Sequence, residues 1–202
     1  VFEHQSQGLI QTGLVFTPLD APVKILRLTL ENTRDEEREI AVTYYLEWTL
    51  GVTREKTAPF IITEYDETSG ALLARNVYQQ TCREQYGVLG MWTGGPELDR
   101  SWTGDRAEFI GRNRSLSFPA ALQRKRLSKT TGAGYNPCGA MQVKLYLPPH
   151  GERTVNILVG AAASKEEVRA LMQKYGRRTG VVAAYQKVRK YWSDLLGRVQ
   201  VA

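Results

Sequence analysis

The chain has 202 residues, of which 42% are hydrophobic and 24% are charged, and its formal net charge is +6. These values lie close to the averages of globular domains and exclude collagen-like, coiled-coil and wholly disordered proteins. The longest apolar runs are far shorter than the roughly 20 residues that cross a bilayer, which predicts a folded soluble protein with no direct membrane insertion and no signal peptide.

The first residue is Val1 rather than Met, and Val1-Phe2-Glu3-His4 resembles the interior of a strand. We therefore expect a piece of a longer polypeptide. The two cysteines, Cys82 and Cys138, lie far apart, and neither has a second Cys or a His at metal-ligand spacing. This predicts no metal site and favours two free thiols over a disulfide, as in the reducing cytoplasm.

Alternation of apolar and polar residues predicts strands over the first three quarters of the chain. The first clear strand covers residues 9–16. Residues 26–30 and 40–50 follow with the same period, and the polar segment 32–36 between them is turn-forming. We interpret this pair as an antiparallel hairpin. Trp48 falls in register with the apolar positions, so it is predicted to pack in the core.

Further short strands follow, and residues typical of turns separate them. They are predicted at residues 60–65 and 71–75, joined by a turn at 66–70, then at 88–92, 107–110 and 141–147, after which a turn at 148–152 returns the chain through 155–159. No helical pattern lies between these strands. The spacing favours an antiparallel β-sandwich over a βαβ architecture.

The pattern changes at residue 164. Ser164 and Glu167 form a capping box that begins a helix, whose buried stripe is Val168, Leu171, Met172 and Tyr175. Gly176 is predicted to end it in a left-handed conformation. A second helix is predicted over residues 181–196, closed by Gly197, with a stripe of Val181, Tyr185, Val188, Trp192 and Leu195. We thus divide the chain into a sandwich, residues 1–163, and a helical segment, residues 164–202.

All of the excess positive charge lies in the helical segment. Residues 164–202 carry nine basic and three acidic side chains, whereas residues 1–163 carry 18 of each. Two partners could explain this charge bias, an acidic neighbouring domain or a nucleic acid. Because the sandwich itself is neutral, we favour docking against an acidic neighbouring domain. The basic run Arg124-Lys125-Arg126 is interpreted as a solvated loop. We predict no nucleic-acid partner.

The sequence offers little for catalysis. His150 lies in a Pro-Pro-His-Gly turn, and His4 has no nearby Cys or Ser, so a Ser-His-Asp triad is poorly supported. No phosphate-binding glycine motif is present. We predict no catalytic residue and no cofactor in this chain.

Residues 103–113 form the most unusual charged run. Acidic and arginine side chains alternate there around two glycines, which fits either a structural salt-bridge corner or a rim that binds sugar hydroxyls; we favour the former. Glu47 is interpreted as a solvated cross-strand partner. Trp102, in a Ser-Trp-Thr-Gly loop, is predicted to have a surface role. The candidate carbohydrate contacts are Trp102, Asp105, Arg106, Glu108, Arg112 and Asn113.

Several strings, taken in order, resemble the β-sandwich domain of glycoside hydrolase family 94. That family includes cellobiose and chitobiose phosphorylases and the phosphorylase-like region of cyclic β-1,2-glucan synthases, to which this chain looks most similar. The resemblance spans nearly the whole chain and is carried by residues 41–51, 69–76, 103–106, 108–113, 136–140 and 191–197.

The resemblance implies an antiparallel super-β-sandwich of the galactose mutarotase-like type, followed by two linker helices that lead to an (α/α)6 barrel. In that family an Asp on the barrel is the general acid while phosphate attacks with inversion, so this chain would be non-catalytic. The implied partners are the barrel and a β-glucan oligosaccharide, and a homodimer of the parent protein stays open. A cyclic glucan synthase parent would be associated with the inner membrane. The alternative is a stand-alone carbohydrate-binding module.

Overall fold

The computed structural model describes residues 1–80 and 83–198. Over these residues the chain forms ten strands and four α-helices. The prediction of a mainly β, antiparallel fold is confirmed. In chain order the elements are β1 (Phe2–Ser6), β2 (Leu9–Phe16), β3 (Val23–Asn32), β4 (Arg38–Glu47), α1 (Arg54–Thr57), β5 (Ile61–Asp66), β6 (Ala71–Asn76), β7 (Tyr86–Thr93), β8 (Asp99–Asp105), α2 (Arg106–Ile110), β9 (Pro137–Leu147), β10 (Glu152–Ala162), α3 (Lys165–Tyr175) and α4 (Arg178–Leu196).

The strands form two sheets. The larger one has seven strands in the order β1-β2-β3-β10-β7-β6-β5, and the smaller one has three in the order β4-β9-β8. All the strand pairs are antiparallel. The predicted β5–β6 hairpin is confirmed, with Asp66 opposite Ala71.

The predicted hairpin of β3 and β4 is wrong. β3 pairs with β2 and β10 in the large sheet, whereas β4 pairs with β9 in the small sheet. Both strands direct apolar residues into the space between the sheets, Leu30 from one side and Val42 from the other. Alternation shows that each strand has an apolar face, but it does not distinguish strands that lie side by side from strands that face each other. The turn at 148–152 crosses between the sheets in the same way, from β9 to β10.

Two apolar layers cover the seven-stranded sheet. The inter-sheet layer lies between the two sheets and contains Leu72, Leu89, Met141 and Val155. The helix layer lies on the other face, where α3 and α4 pack against Ile25, Val88, Leu158 and their neighbours. Because both faces are covered, β7 is buried over six successive residues, Gly87 to Trp92.

Trp48 packs in the core as predicted, with 5% of its surface exposed. Two glycines make room for its indole ring. A Cβ atom at Gly87 would lie 2.8 Å from the ring, and one at Gly139 would lie 2.9 Å from it. Any larger residue at either position would displace the tryptophan.

The Ser164 cap of α3 is confirmed, whereas the return bond of the capping box goes to the residue before the cap. The Ser164 hydroxyl accepts a hydrogen bond from the Glu167 N–H at 3.1 Å, and the Glu167 carboxylate accepts one from the Ala163 N–H at 2.6 Å. The predicted stripe from Val168 to Tyr175 is buried. The left-handed conformation predicted for Gly176 is wrong, since its φ of −66° and ψ of −16° are right-handed. The break between α3 and α4 comes one residue later, at Arg177, whose φ of −95° and ψ of 136° are extended.

The stripe predicted for the second helix is buried only at its beginning. The helix α4 starts at Arg178, and Val181 is buried against the sheet. Near the end of the helix, Trp192 is 50% exposed and Leu195 is 39% exposed. Among the residues that the structure describes, no helix combines the length and the apolar character needed to span a membrane.

Candidate functional site

Loops and short helices gather at one end of the three-stranded sheet. There β4 ends at Glu47, β8 ends at Asp105 and β9 begins at Pro137. The register places Glu47 opposite Cys138 on β9 and Asp105 opposite Pro137. Because β9 is the central strand, its two neighbours bring these carboxylates to either side of its first residues.

Glu47 is the centre of a charged network. Its carboxylate accepts hydrogen bonds from the Arg106 Nε at 2.6 Å and the Tyr45 hydroxyl at 2.7 Å. The Arg54 Nη1 lies 3.2 Å away. Burial disfavours the charged carboxylate, but the bonds from Arg106 and Tyr45 and the charge of Arg54 outweigh it and lower the pKa of Glu47. Glu47 therefore pairs with arginines of α1 and α2, which corrects the expectation of a solvated cross-strand partner.

Tyr45 stabilises this network by packing against α2 and by its hydrogen bond to Glu47. Its ring stacks on that of Phe109 in α2, with the ring centroids 4.5 Å apart. Burial and the hydrogen bond to Glu47 raise the pKa of Tyr45, so its hydroxyl keeps its proton and remains a donor. The stacked rings hold α2, and with it Arg106, against β4.

The strand predicted at residues 107–110 is wrong, because this segment is the helix α2. The Asp105 carboxylate caps α2 by accepting a hydrogen bond from the Ala107 N–H at 2.9 Å. Glu108 forms an ion pair with Arg124, whose Nη2 also donates to the Glu108 carbonyl at 2.9 Å. These contacts form a structural salt-bridge corner, which is the interpretation of residues 103–113 that we favoured from the sequence. Sugar binding by Asp105, Arg106 and Glu108 remains a prediction.

Arg112 and Asn113 lie in the exposed turn that follows α2. Gly111 makes this turn possible, since its φ is +85° and a Cβ atom there would lie 2.6 Å from the Ala120 Cβ. Asn113 is also left-handed, with φ of +62°. Their predicted contact with carbohydrate remains a prediction.

Trp102 does not lie in a surface loop. It is part of β8, it is 8% exposed, and its ring stacks on Tyr65 with centroids 3.4 Å apart. The Lys129 Nζ lies 4.8 Å from the centroid. The prediction of a surface role for Trp102 is therefore wrong. Polar and glycine residues around Trp102 mask the period of the strand in the sequence.

An open groove runs across this end of the sandwich, and we call it the loop-end groove. It consists of two cavities of about 820 and 540 Å³ that share Asn136 in their walls. The cavities are lined by Arg106, Ala107, Ile110, Gly111, Arg112, Arg114, Ser115, Leu116 and Ser117 on one side, and by Arg54, Glu55, Ala58, Pro59, Gly134 and Tyr135 on the other.

Sequence reasoning missed Arg54 and Asn136, which join the two halves of the groove. Arg54 donates to the Pro137 carbonyl at 3.2 Å and to the Asn136 side-chain carbonyl. Only the fold brings these residues together, because no local pattern links α1 to the start of β9. Residues 136–140 carry part of the family resemblance, but that string did not mark Asn136 as a contact of the site.

The remaining predicted positions lie away from the groove or carry no reactive partner. His150 is exposed in its turn, as predicted, with its Nε2 2.7 Å from Asp35. Cys138 is a buried free thiol, and burial raises its pKa, so it is a poor nucleophile; Cys82 lies outside the described residues. Within residues 1–80 and 83–198, no three His, Cys, Asp or Glu side chains form a group suited to a metal ion.

The family model of the glycosyl hydrolase 94 supersandwich domain matches residues 1–178. The chain is 30% identical over 181 residues to the cyclic β-(1,2)-glucan synthase NdvB of Rhizobium meliloti (strain 1021), covering 89% of this chain and 6% of the synthase. It is 24% identical over 204 residues to the N,N'-diacetylchitobiose phosphorylase of Vibrio furnissii, covering 99% of this chain and 25% of the enzyme.

A third relative is the 3-O-β-D-glucopyranosyl-β-D-glucuronide phosphorylase of Paenibacillus borealis, 26% identical over 204 residues, covering 97% of this chain and 25% of that enzyme. The chain thus spans a quarter or less of these relatives. The match to the family model extends over the two sheets and α3. The chain therefore belongs to the glycosyl hydrolase 94 supersandwich domain family.

Proposed function

We propose that this chain is a non-catalytic domain of a glycoside phosphorylase or cyclic β-1,2-glucan synthase type enzyme, and that its loop-end groove shapes or covers a glucan site on a catalytic (α/α)6 barrel. The barrel belongs to another part of the parent polypeptide, which transfers hexosyl groups with inversion. In this proposal residues 1–163 are the sandwich and residues 164–202 are a helical linker to the barrel.

A fixed framework of charged side chains beside the groove is the main support for the proposal. Arg54 and Arg106 are both held by Glu47, so their guanidinium groups are positioned before any ligand binds. Arg112 and Tyr135 line the groove with exposed side chains. Planar donors and an aromatic ring of this kind suit sugar hydroxyls and ring faces.

The chemistry of the groove supports a non-catalytic role. A general acid for glycosidic cleavage must keep its proton near neutral pH, which requires a raised pKa. Glu47 is the carboxylate that pairs with both arginines of the groove, and these partners lower its pKa against the effect of burial. It therefore stays ionised, and its oxygens are occupied by the framework.

Exposed apolar residues at two places support the proposal that another domain contacts this one. At the loop end, Phe60 stacks on Tyr78 with centroids 4.5 Å apart, and Tyr78 is 70% exposed. At the end of α4, Trp192 is 50% exposed and Leu196 is 67% exposed. Large exposed apolar side chains that cluster in this way are typical of interaction sites.

The same proposal includes two properties of the parent protein. It is cytoplasmic, and lies at the inner membrane if it is a cyclic glucan synthase, and it forms a homodimer.

The first experiment tests the absence of catalysis. The purified 202-residue chain, mixed with inorganic phosphate and β-1,2-linked gluco-oligosaccharides, should release no glucose 1-phosphate above the background of the mixture without protein. Steady phosphate-dependent release by this chain would refute the proposal.

The second experiment tests the groove. In the parent enzyme, Arg112→Ala should raise KM for the glucan several-fold and leave kcat nearly unchanged, because the residue contributes binding that is equal in the ground and transition states. Arg75→Ala, at an exposed arginine on β6, is the matched control and should leave both constants unchanged. Equal effects of the two variants would count against a role of the groove.

The alternative function is a stand-alone carbohydrate-binding module that uses the same groove. Calorimetry of the isolated chain with β-1,2-linked gluco-oligosaccharides separates the two. Millimolar or tighter binding that is lost on Arg112→Ala favours the module, and the absence of heat favours a groove completed by the barrel. Trp102→Ala is a poor probe of this choice, since that ring is buried against Tyr65.

A further inference from the structure

A second cleft lies beside the last turn of α3, between the helix-covered face of the seven-stranded sheet and β8 of the small sheet, and we call it the helix-side cleft. It consists of two cavities of about 460 and 170 Å³ that share Trp92 and Gly176 in their walls. The cleft arises because β6 begins at Ala71, opposite Gly90, so β7 continues beyond its neighbour. The last turn of α3 lies over the resulting gap and adds Met172 and Gln173 to its walls.

Two polar atoms without a hydrogen-bond partner are buried in residues that line this cleft. They are the indole Nε1 of Trp92 and the side-chain Oδ1 of Asn156. Trp92 is 9% exposed and Asn156 is 4% exposed, and the two residues lie opposite each other on β7 and β10. Buried polar groups are rarely left unpaired, because each unsatisfied group destabilises the fold. The register thus pairs a residue with an unused donor and a residue with an unused acceptor on neighbouring strands, which indicates a ligand that offers both.

The charges around the cleft are nearly balanced. The Arg100 guanidinium binds Glu97 with two hydrogen bonds, at 2.5 and 2.9 Å, and donates to the Gly70 carbonyl at 3.1 Å. Arg169 lies 3.8 Å from both Asp66 and Glu166. Arg100 and Arg169 thus have acidic neighbours, and the smaller cavity is lined by Arg153 together with Glu152, which disfavours an anionic ligand. The guanidinium groups of Arg100 and Arg169, together with the Gln173 amide, still have N–H groups that can bind oxygen atoms.

We propose that the helix-side cleft binds a neutral saccharide unit, with hydroxyl groups paired to the Trp92 indole N–H and the Asn156 amide oxygen. A hydroxyl both donates and accepts, so it satisfies this pair of atoms. Asn156 lines only the smaller cavity, which has room for such a hydroxyl, whereas the larger cavity, which shares Trp92, lies in the size range of small-molecule sites and has room for the ring that carries it. The cleft is distinct from the loop-end groove, since Arg100 and Asp105 lie toward opposite ends of β8, about 17 Å apart along an extended strand. The proposal stands whether or not the groove meets a barrel.

The four tryptophans of the chain allow a direct test by two-dimensional NMR. Each indole N–H gives one ¹⁵N–¹H peak, and Trp92→Phe identifies the peak of Trp92 by its disappearance. Titration with the β-1,2- and β-1,4-linked disaccharides of glucose, up to tens of millimolar, should shift the Trp92 peak and leave those of Trp48 and Trp102 in place. If no disaccharide shifts the Trp92 peak, or if inorganic phosphate shifts it and the sugars do not, the proposal is overturned.

A matched pair of variants tests the location. Gln173→Ala removes an exposed amide from the cleft wall, and Gln186→Ala removes an exposed amide from α4 away from the cleft. The first should weaken disaccharide binding about 3- to 10-fold, the effect of one lost hydrogen bond, and the second should not change it. Equal weakening would overturn the assignment. Arg112→Ala in the loop-end groove should leave the Trp92 shift intact, so failure of the proposed function and failure of this proposal give different results.

Discussion

The two layers that cover the seven-stranded sheet are built differently. The inter-sheet layer consists of aliphatic, methionine and aromatic side chains contributed by strands of both sheets. The helix layer combines a shorter apolar stripe with ion pairs along the edge of α3. The Lys165 Nζ lies 2.9 Å from Glu64, and the Lys174 Nζ lies 3.0 Å from Asp20.

The two layers should therefore respond differently to pH, salt and mutation. Burial of apolar surface is insensitive to pH and weakly sensitive to salt, whereas exposed ion pairs are screened by salt and lost when carboxylates are protonated. We therefore expect the inter-sheet layer to determine the global stability, and the helix layer to respond to local changes in α3.

The largest effect is expected in the inter-sheet layer. Leu89 is fully buried, so Leu89→Ala should lower the free energy of unfolding by about 2–5 kcal/mol through lost burial and a cavity. Urea denaturation followed by tryptophan fluorescence measures it. Leu116→Ala, at a leucine that is 53% exposed, should change stability by less than about 0.5 kcal/mol. A loss below about 1 kcal/mol for Leu89→Ala would contradict the prediction.

A valine in each layer provides a matched comparison. Val155 on β10 and Val168 on α3 are both fully buried, so the same two carbon atoms are removed by each substitution to alanine. Val155→Ala should lower the free energy of unfolding by about 2 kcal/mol. Val168→Ala should cost roughly 1 kcal/mol less, because alanine is a better helix former than valine and a poorer strand former. Equal losses would show that backbone propensity does not distinguish the layers.

The helix layer depends on the cap of α3. Ser164→Ala removes the hydrogen bond to the Glu167 N–H and should lower the free energy of unfolding by about 1 kcal/mol. Hydrogen exchange should show the loss of protection first in α3. Ser117→Ala, at an exposed serine, is the control and should have no measurable effect. Loss of protection spread evenly over both sheets would contradict a local role of the cap.

Acid should weaken the helix layer before the sheets. The hydrogen bond from Lys174 lowers the pKa of Asp20. Burial opposes the ionisation of Asp66, but hydrogen bonds from Ser69 and the charge of Arg169 outweigh it, so the pKa of Asp66 is lowered as well. Because both pKa values lie below that of the unfolded chain, about 3.9, their contribution is present above that pH and is lost as the pH falls through the folded-state values.

Amide hydrogen exchange between pH 6 and pH 3 measures this response. Protection in α3 should decrease below about pH 4 more steeply than protection in β7 and β10. Asp20→Asn should flatten the pH dependence for α3, whereas Asp194→Asn, at an ion pair confined to α4, should not. Parallel loss of protection in α3 and in the strands would contradict the comparison.

The smallest effect is expected at the exposed end of α4. Trp192 is 50% exposed, so Trp192→Ala should change the stability of this chain by less than about 0.5 kcal/mol. Tyr175→Ala, at a fully buried aromatic of α3, is the contrasting variant and should cost about 3 kcal/mol or more. A loss above 1 kcal/mol for Trp192→Ala would mean that the end of α4 is covered within the chain or by a second copy of it.

Several features could be predicted from the sequence because they depend on neighbouring residues. Alternation located β2 and the β5–β6 hairpin, and the capping box located the start of α3. The strings at 41–51 and 103–113 indicated the family, which the family model confirmed. Each of these signals is contained within a few consecutive residues, so a single sequence carries it.

The pairing of strands and the composition of both sites were decided by the tertiary structure. Alternation gave no information on which sheet β4 joins, and the short helix α2 was mistaken for a strand because five residues are too few to display a period. Arg106 reaches Glu47 across 59 positions of sequence, and Trp92 meets Asn156 only through the β7–β10 register. A periodic pattern specifies that a face is buried but not which face covers it, and that choice depends on the packing of the whole chain.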